Sequence, residues 1–327
     1  MIKCALISGK GMGIMHGGNF NNHPDAEVVA VCEMDPELLA KAKEEFGVPG
    51  YSSIDELLAN CDAELMLLIV NETRRIPPLR QLIAAGRHVF TEKPLCGLEG
   101  QYRVREEDAA IAAPAIKEWR ESGVKFGIDY NYRFFRHFRK LHEDALGGKF
   151  GEIRVVRARA HYDCWSHVID QILWTMGLPE WVSAMGDPNA PGGWERMIHM
   201  KWSNGAMGEL DGGQKWGWDD DPLRIMIVGD EGYAEARGLG GWYRRRKAYN
   251  SEVQEIWQVE EGRQEYGESF ARMADGVIKA MLADETWPAT GEDAWNELLF
   301  EAAVHRSALN NAERVFLADV EKSAMEG

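Results

Sequence analysis

The chain has 327 residues and a formal net charge of −16. That length exceeds what one hydrophobic core usually fills, which predicts two domains. The acidic balance argues against a nucleic-acid partner, because a phosphate backbone favours surfaces with clustered Lys and Arg.

Cysteine usage and hydropathy point to the cell interior. The five cysteines are odd in number and widely spaced, with no C-x-x-C pair, which is typical of a reducing cytosol. The residues ahead of the first glycine turn are too few for a signal-peptide core, and no apolar run reaches the roughly 20 residues of a membrane span. We therefore expect a cytoplasmic protein with no membrane partner.

Short apolar runs alternate with amphipathic segments in the first part of the chain. Strands are predicted at 2–8, 27–34, 63–70 and 88–93, and helices at 35–47, 53–60 and 74–87. Asp35 and either Ser52 or Ser53 are candidate N-caps, while Gly47 and Gly86 suit helix C-termini. This alternation predicts an α/β domain with a doubly wound parallel sheet.

The pattern changes near residue 128. A basic helix over 133–146 precedes strand-like runs at 151–162, 195–203, 205–213 and 222–237, which turn residues separate. They predict an α+β domain with an open, mostly antiparallel sheet, and an amphipathic helix at 291–313 is expected to close the chain. The predicted domains are 1–128 and 129–327. The basic run 244–247 is interpreted as a solvated loop or the edge of an acidic-ligand site.

The turn after the first strand, ALISGKGMGIMHGG at 5–18, is rich in glycine but does not match G-x-G-x-x-G. One register puts the fingerprint at Ser8, Lys10 and Gly13, and the other at Gly9, Gly11 and Ile14. In either, helix N-terminal amides and the Lys10 ammonium suit a phosphate. The candidate cofactor residues of this turn are Ser8, Gly9, Lys10, Gly11, Met12 and Gly13.

Three motifs follow in order: E-K-P-L at Glu92–Leu95, Y-N-Y-R-F at Tyr130–Phe134, and D-x-x-x-H at Asp163–His167. Together they resemble the glucose-fructose oxidoreductase / inositol dehydrogenase / MocA (Gfo/Idh/MocA) family. The resemblance implies an N-terminal Rossmann domain that binds NAD, and a C-terminal domain that supplies catalytic groups and often the subunit interface. It also implies a homo-oligomer, a dimer or tetramer, acting on a small-molecule sugar or cyclic polyol.

The resemblance gives three residues catalytic roles. Lys93 would lie beside the nicotinamide, contact substrate and stabilise the alkoxide-like charge that develops as hydride leaves. Asp163 and His167 are spaced i, i+4, so a helical turn would let the carboxylate orient the imidazole for proton transfer. The plainer alternatives are a surface lysine, a helix-capping aspartate and a half-buried structural histidine.

Further positions are candidate cofactor and substrate contacts. Glu33 follows the second strand, where an acidic residue binds the adenosine ribose and disfavours NADP, although Asp35 competes for that role. By resemblance Asn71 and Glu92 line the cofactor site, and Arg133, Trp165 and His167 contact substrate. Trp216 and Trp218 near an acidic turn are further sugar-stacking candidates, with core packing as the alternative.

His161, Asp163 and His167 are an alternative metal-ligand set, but no metal is expected because no established ligand motif supports it. The overall expectation is an NAD-dependent oxidoreductase that moves hydride between nicotinamide and a secondary alcohol or ketone. Two alternatives remain: a redox-neutral enzyme that uses NAD to cleave glycosides, and a non-catalytic sensor. The segment 100–114 looks like added length after E-K-P and places the substrate in question.

Overall fold

The computed structural model describes residues 1–190, 194–213, 223–239, 241–249, 252–258 and 262–326. The chain divides into two compact units. Unit 1 comprises Met1–Leu98, Ile111–Tyr130 and Phe270–Trp295, and unit 2 comprises Glu99–Ala110, Asn131–Ser269 and Asn296–Gly327. The predicted boundary after residue 128 lies near the junction between Tyr130 and Asn131. However, Glu99–Ala110, which precedes this boundary, belongs to unit 2, and Phe270–Trp295, which follows it, belongs to unit 1.

Unit 1 is built on a six-stranded sheet in the order β3-β2-β1-β4-β5-β6. Its strands are β1 (Ile2–Ile7), β2 (Ala26–Cys32), β3 (Gly50–Tyr51), β4 (Leu65–Leu68), β5 (His88–Thr91) and β6 (Phe126–Ile128). Every neighbouring pair is parallel. All side chains of β4 are buried, as expected for a central strand covered on both faces. The predicted doubly wound parallel sheet is confirmed.

Helices alternate with these strands: α1 (Met12–Asn21), α2 (Pro36–Phe46), α3 (Ile54–Asn60), α4 (Ile76–Ala84) and α5 (Glu106–Ser122). Asp35 caps α2 by accepting the Glu37 and Leu38 amides, and Gly47 ends it with a φ of 67°. Ser53, rather than Ser52, caps α3 through the Glu56 amide. The sequence predicted no helix over α5, because the stretch 100–114, which contains its start, looked like added length after the E-K-P motif.

Unit 2 is built on a nine-stranded sheet in the order β14-β13-β12-β11-β7-β10-β9-β8-β15. Its strands are β7 (Ile153–His161), β8 (Trp181–Met185), β9 (Arg196–Lys201), β10 (Met207–Gly213), β11 (Leu223–Gly229), β12 (Gly232–Arg237), β13 (Trp242–Lys247), β14 (Val253–Gln258) and β15 (Val315–Phe316). Only the β7–β10 pair is parallel among these strands. The predicted open, mostly antiparallel sheet is confirmed.

The helices that complete the chain are α6 (Arg136–Leu146), α7 (Trp165–Met176), α8 (Gly262–Leu282), α9 (Gly291–Leu309) and α10 (Leu317–Glu326). Two sequence predictions are wrong here. The basic run 244–247 lies in strand β13 and not in a loop, and the chain continues after α9 through β15 to α10. In the described ranges, no helix is both long and apolar enough to cross a membrane.

Candidate functional site

The glycine turn joins β1 to α1. A Cβ atom on Gly13 would lie 2.3 Å from the Ser8 hydroxyl oxygen, so the first turn of α1 packs directly on the end of the strand. Close helix–strand packing is the role of the third glycine in a dinucleotide fingerprint. This contact agrees with the Ser8–Lys10–Gly13 register. Gly11 precedes α1 with a φ of 49°, a conformation that disfavours a side chain.

Glu33, immediately after β2, hydrogen-bonds to the same turn. Its Oε2 accepts the Gly9 amide at 2.8 Å, and its Oε1 accepts the Asp35 amide at 3.2 Å. A Cβ on Gly9 would approach the Glu33 Cγ to 2.8 Å, so only glycine permits this contact without adjustment. The two backbone amides hold the carboxylate in place, and each oxygen keeps a lone pair for a further donor. Asp35, the competing candidate, is the cap of α2.

A cavity of about 730 Å³ lies at the carboxyl ends of β1, β2 and β4. Its walls include Ser8, Lys10, Glu33, Asn71 and Arg74. The sheet order reverses between β1 and β4, and open α/β sheets bind ligands at such a switch point. The Asn71 side chain also caps the turn that follows β4, accepting the Thr73 amide at 3.0 Å. The cavity therefore lies at the switch point of the sheet and is lined by an acidic residue and a glycine-rich turn, as in dinucleotide-binding sites.

The E-K-P-L segment follows β5 in the same unit. Glu92 accepts the backbone amide of Lys93 at 3.0 Å through one oxygen and contacts the His16 Nε2 at 2.9 Å through the other. Burial alone would lower the pKa of His16, but the hydrogen bond with Glu92 and the nearby carboxylates raise it. Burial opposes ionisation of Glu92, and the contact with His16 outweighs it and lowers the pKa of Glu92. His16 and Glu92 therefore form a buried ion pair, and Glu92 immediately precedes Lys93.

Asp129 completes this cluster and was not predicted. Its side chain is 0% exposed, and one carboxylate oxygen lies 3.6 Å from the His16 Nε2. Among the described residues neither oxygen has a hydrogen-bond partner. Burial raises the pKa of Asp129 to about 8; Glu92 adds to the rise, while His16 and Lys93 oppose it. Asp129 therefore holds a proton at neutral pH.

This raised pKa predicts how stability depends on pH. Below its ordinary pKa of 3.8 Asp129 is protonated in both states, and between 3.8 and about 8 only the folded state keeps the proton. The stabilisation present at low pH is therefore lost as pH rises toward 8. In urea unfolding at pH 5, 6, 7 and 8, the unfolding free energy of the wild type relative to Asp129→Asn should fall steadily. A difference that does not change with pH would contradict the assigned protonation.

In the described part of the chain, His16, Glu92 and Asp129 are also the residues grouped closely enough to hold a metal ion, with ligand atoms within 4.8 Å of one another. One imidazole and two carboxylates are acceptable ligands for several divalent metals. A metal at this cluster would have to displace the His16–Glu92 hydrogen bond.

A buried arginine anchors the E-K-P-L segment. Arg75 donates to the carbonyl oxygen of Pro94 and, at 2.7 Å, to that of Val70. Burial lowers the pKa of Arg75, although an arginine stays charged in proteins. The guanidinium thus ties the loop after β4 to the loop after β5, the two loops that carry Asn71 and Lys93.

In unit 2, Asp163 lies in a single 3-10 turn, Tyr162–Cys164, between β7 and α7. Its carboxylate accepts the hydroxyl of Tyr102, and the other carboxylate oxygen lies 3.8 Å from the His161 Nδ1. His161 ends β7, as the sequence predicted. Asp163 is thus ahead of the helix that carries His167, so the pair is not on one continuous helix, and the proposed orienting contact stays a prediction.

His167 lies in the first turn of α7 and is buried. Its ring stacks on Tyr132 with centroids 3.9 Å apart and an angle of 9° between planes. Tyr132 belongs to the Y-N-Y-R-F motif, so the structure brings two of the three family motifs into direct contact within unit 2. Stacking of this kind fixes the plane of the imidazole.

Two predicted substrate contacts, Arg133 and Trp165, have polar partners within unit 2. Arg133 is 4% exposed and forms a two-pronged ion pair with Asp170, at 2.9 Å for its Nε. Trp165 is 3% exposed, donates its indole N–H to Glu301 at 2.8 Å, and has the Arg196 guanidinium 4.4 Å from its ring centre. Both side chains are as buried as His167, and their roles as substrate contacts stay predictions. Trp216 and Trp218 lie outside the described residues.

Comparison with known proteins agrees with these motifs. Residues 2–110 match the family model GFO_IDH_MocA, described as an oxidoreductase family with an NAD-binding Rossmann fold. The myo-inositol 2-dehydrogenase of Thermotoga maritima is 22% identical over 254 residues, which span 68% of this chain and 71% of the relative.

Solved structures show the same fold over almost the whole chain. Levoglucosan dehydrogenase, in complex with NADH and levoglucosan, matches with a TM-score of 0.82 and 18% identity, covering 97% of this chain and 99% of the other. The WlbA dehydrogenase of Bordetella pertussis, in complex with NADH and UDP-GlcNAcA, matches with a TM-score of 0.79 and 22% identity, covering 96% and 97%. At these identities the likeness establishes the fold.

Proposed function

We propose, from the match of residues 2–110 to the Gfo/Idh/MocA family model, that the chain is an NAD-dependent dehydrogenase of this family. The reaction is hydride transfer between the nicotinamide and a secondary alcohol or ketone of a sugar, sugar derivative or cyclic polyol. The reverse reaction, reduction of the ketone, uses the same groups.

The observation that carries this proposal is the cavity at the switch point of the parallel sheet, with Glu33 on its wall. Glu33 would bind the adenosine ribose hydroxyls, and its charge would repel a 2′-phosphate, which favours NAD over NADP. Gly11 would leave room for the pyrophosphate at the start of α1, where Gly13 lets the helix pack closely on the strand and backbone amides favour negative charge. Lys10 and Asn71 line the same cavity. Bound NAD would serve as the hydride acceptor.

The chain's own residues supply the remaining chemistry. Lys93 follows the carboxyl end of β5, and its ammonium would stabilise negative charge that develops on the substrate oxygen. The His167 imidazole would accept the hydroxyl proton in oxidation and return it in reduction, with Asp163 as its orienting carboxylate. Arg133 and Trp165 are the further residues that we assign to substrate contact.

The substrate class rests on the similar proteins. The Thermotoga maritima relative is named for myo-inositol, and two of the solved structures are complexes with levoglucosan and with UDP-GlcNAcA. All three ligands are polyhydroxylated rings, which is the shared chemistry that we assign to the substrate of this chain.

The purified wild-type chain is therefore expected to reduce NAD with at least one member of a panel of inositols, pyranoses, anhydro-sugars and nucleotide-linked sugar acids. Reduced nicotinamide is followed by absorbance, with NAD and NADP in parallel, and NAD should be preferred by about tenfold or more because of Glu33. No turnover with either cofactor would refute the proposal. Nicotinamide released on denaturing an inactive preparation would then favour the redox-neutral enzyme, and its absence the sensor.

A further inference from the structure

The segment Glu99–Ala110, which overlaps the stretch 100–114 predicted to be added length after E-K-P, belongs to unit 2. The backbone carbonyl of Tyr102 accepts the buried Arg196 Nη2 at 3.0 Å. Arg105 donates to Glu99 at 2.7 Å within the segment. Tyr102 is thus fixed through its backbone by a side chain from β9, and its ring has a defined position.

The hydroxyl of Tyr102 is directed at Asp163. Gln101 donates its side-chain amide to the Tyr102 oxygen at 2.7 Å, and the hydroxyl itself donates to the Asp163 Oδ1. A phenol has one proton to donate, so a donor on its oxygen commits that proton to the carboxylate. The edge of the ring packs on Tyr162, with centroids 4.3 Å apart and planes at 75°. Burial, followed by the bond to Asp163, raises the pKa of Tyr102, so this hydroxyl stays protonated at neutral pH.

His161 does not take the same role. Its Nδ1 accepts the backbone amide of Asp163 at 3.3 Å, and a ring nitrogen that accepts a hydrogen bond carries no proton. It therefore does not donate to the Asp163 Oδ2, which lies 3.8 Å away. The Tyr102 hydroxyl is therefore a donor to the Asp163 carboxylate.

We propose that Tyr102 is a positioning residue of the dehydrogenase: its hydroxyl holds the Asp163 carboxylate, which in turn would orient His167. This inference rests on the proposed function. It also gives the segment Glu99–Ala110 a role, because this segment places the tyrosine on the carboxylate. Tyr102 acts through Asp163 and does not itself exchange a proton with substrate.

The test is a double-mutant cycle of Tyr102→Phe, Asp163→Asn and the double variant, assayed with the substrate found for the wild type. Tyr102→Phe keeps the ring and removes only the hydroxyl. We expect kcat to fall about 10- to 100-fold, as is common when an outer partner of a functional group is lost, with the KM for NAD unchanged. In the Asp163→Asn background the same change should cost little further, because the two residues act as one unit. The pH dependence of kcat should shift in Tyr102→Phe.

Tyr243→Phe is the matched control. Tyr243 lies on β13 and donates its hydroxyl to Asp144 on α6, so its loss removes the same type of bond within unit 2. It should lower the Tm without changing kcat or its pH dependence. Wild-type kcat in Tyr102→Phe while Asp163→Asn is impaired would overturn this inference alone, as would full additivity of the two changes. Wild-type turnover in Asp163→Asn, or no turnover in the wild type, would overturn both this inference and the assigned site.

Discussion

Lys93→Ala is expected to lower kcat for sugar or polyol oxidation by about 10²- to 10³-fold, the usual effect of removing one group that stabilises charge in a transition state. The dissociation constant for NAD should change by no more than about threefold, because the residues that line the dinucleotide cavity are untouched. The backbone amide that Glu92 accepts is kept in the variant, so the loop should retain its conformation. Steady-state kinetics and NAD titration by fluorescence give the two numbers.

Lys3→Ala is the control for Lys93→Ala, since it removes a lysine of unit 1 whose ion pair with Asp62 is exposed. It should leave both kcat and NAD affinity unchanged. His167→Ala should behave like Lys93→Ala. Equal losses of NAD affinity and of turnover in a folded Lys93 variant would show that the lysine binds the cofactor and has no separate role in the chemistry.

Arg196→Leu is expected to destabilise the protein by about 3–5 kcal/mol, the typical cost of removing one partner from a buried ion pair. Arg196 donates to Glu301 at 2.9 Å, and both side chains are almost fully buried. Burial raises the pKa of Glu301, and Arg196 opposes this rise. Without the guanidinium, the buried Glu301 carboxylate would lose the positive charge that stabilises its ionised form. The Tyr102 carbonyl would lose its donor as well.

The free energy of unfolding in urea checks this second prediction, with Arg80→Ala as control. Arg80 pairs with Glu118, but the two side chains are 47% and 41% exposed, so its loss should cost less than about 1 kcal/mol. Adding Glu301→Leu to Arg196→Leu should recover part of the lost stability, because the Glu301 carboxylate is then no longer buried without its guanidinium partner. An Arg196→Leu variant as stable as Arg80→Ala would contradict the inferred cost.

Local patterns were enough to predict much of the fold. The strands β1, β2, β4 and β5 are short apolar runs bounded by turns, and Asp35 and Gly47 mark the ends of α2 by their own chemistry. Helix α5 was missed although its acidic first turn favours a helix start, because its first residues were interpreted as added length and a proline lies inside it. The sequence order of three motifs predicted the family.

The arrangement of buried charges could not be predicted in the same way. His16 and Glu92 are 76 positions apart and Tyr102 and Asp163 are 61 apart, so no local spacing connects them. Arg133 and Trp165 were assigned to substrate because they lie in the family motifs. Their burial depends on Asp170 and Glu301, which no motif identified. A polar residue's partner is set by tertiary contacts, which periodicity does not encode.

The return of Phe270–Trp295 to unit 1 has a consequence for biosynthesis. The edge strand β6 pairs through Gly127 with Thr290, and Ile128 donates its amide to the Ala289 carbonyl at 3.3 Å. A Cβ on Gly127 would lie 2.5 Å from the Trp287 ring, so this late segment packs directly on the strand. A ribosome that has made only the first half of the chain has not yet supplied this cover. The dinucleotide-binding unit is therefore completed only after most of the chain has been translated, and a fragment cut near residue 128 lacks part of its own core.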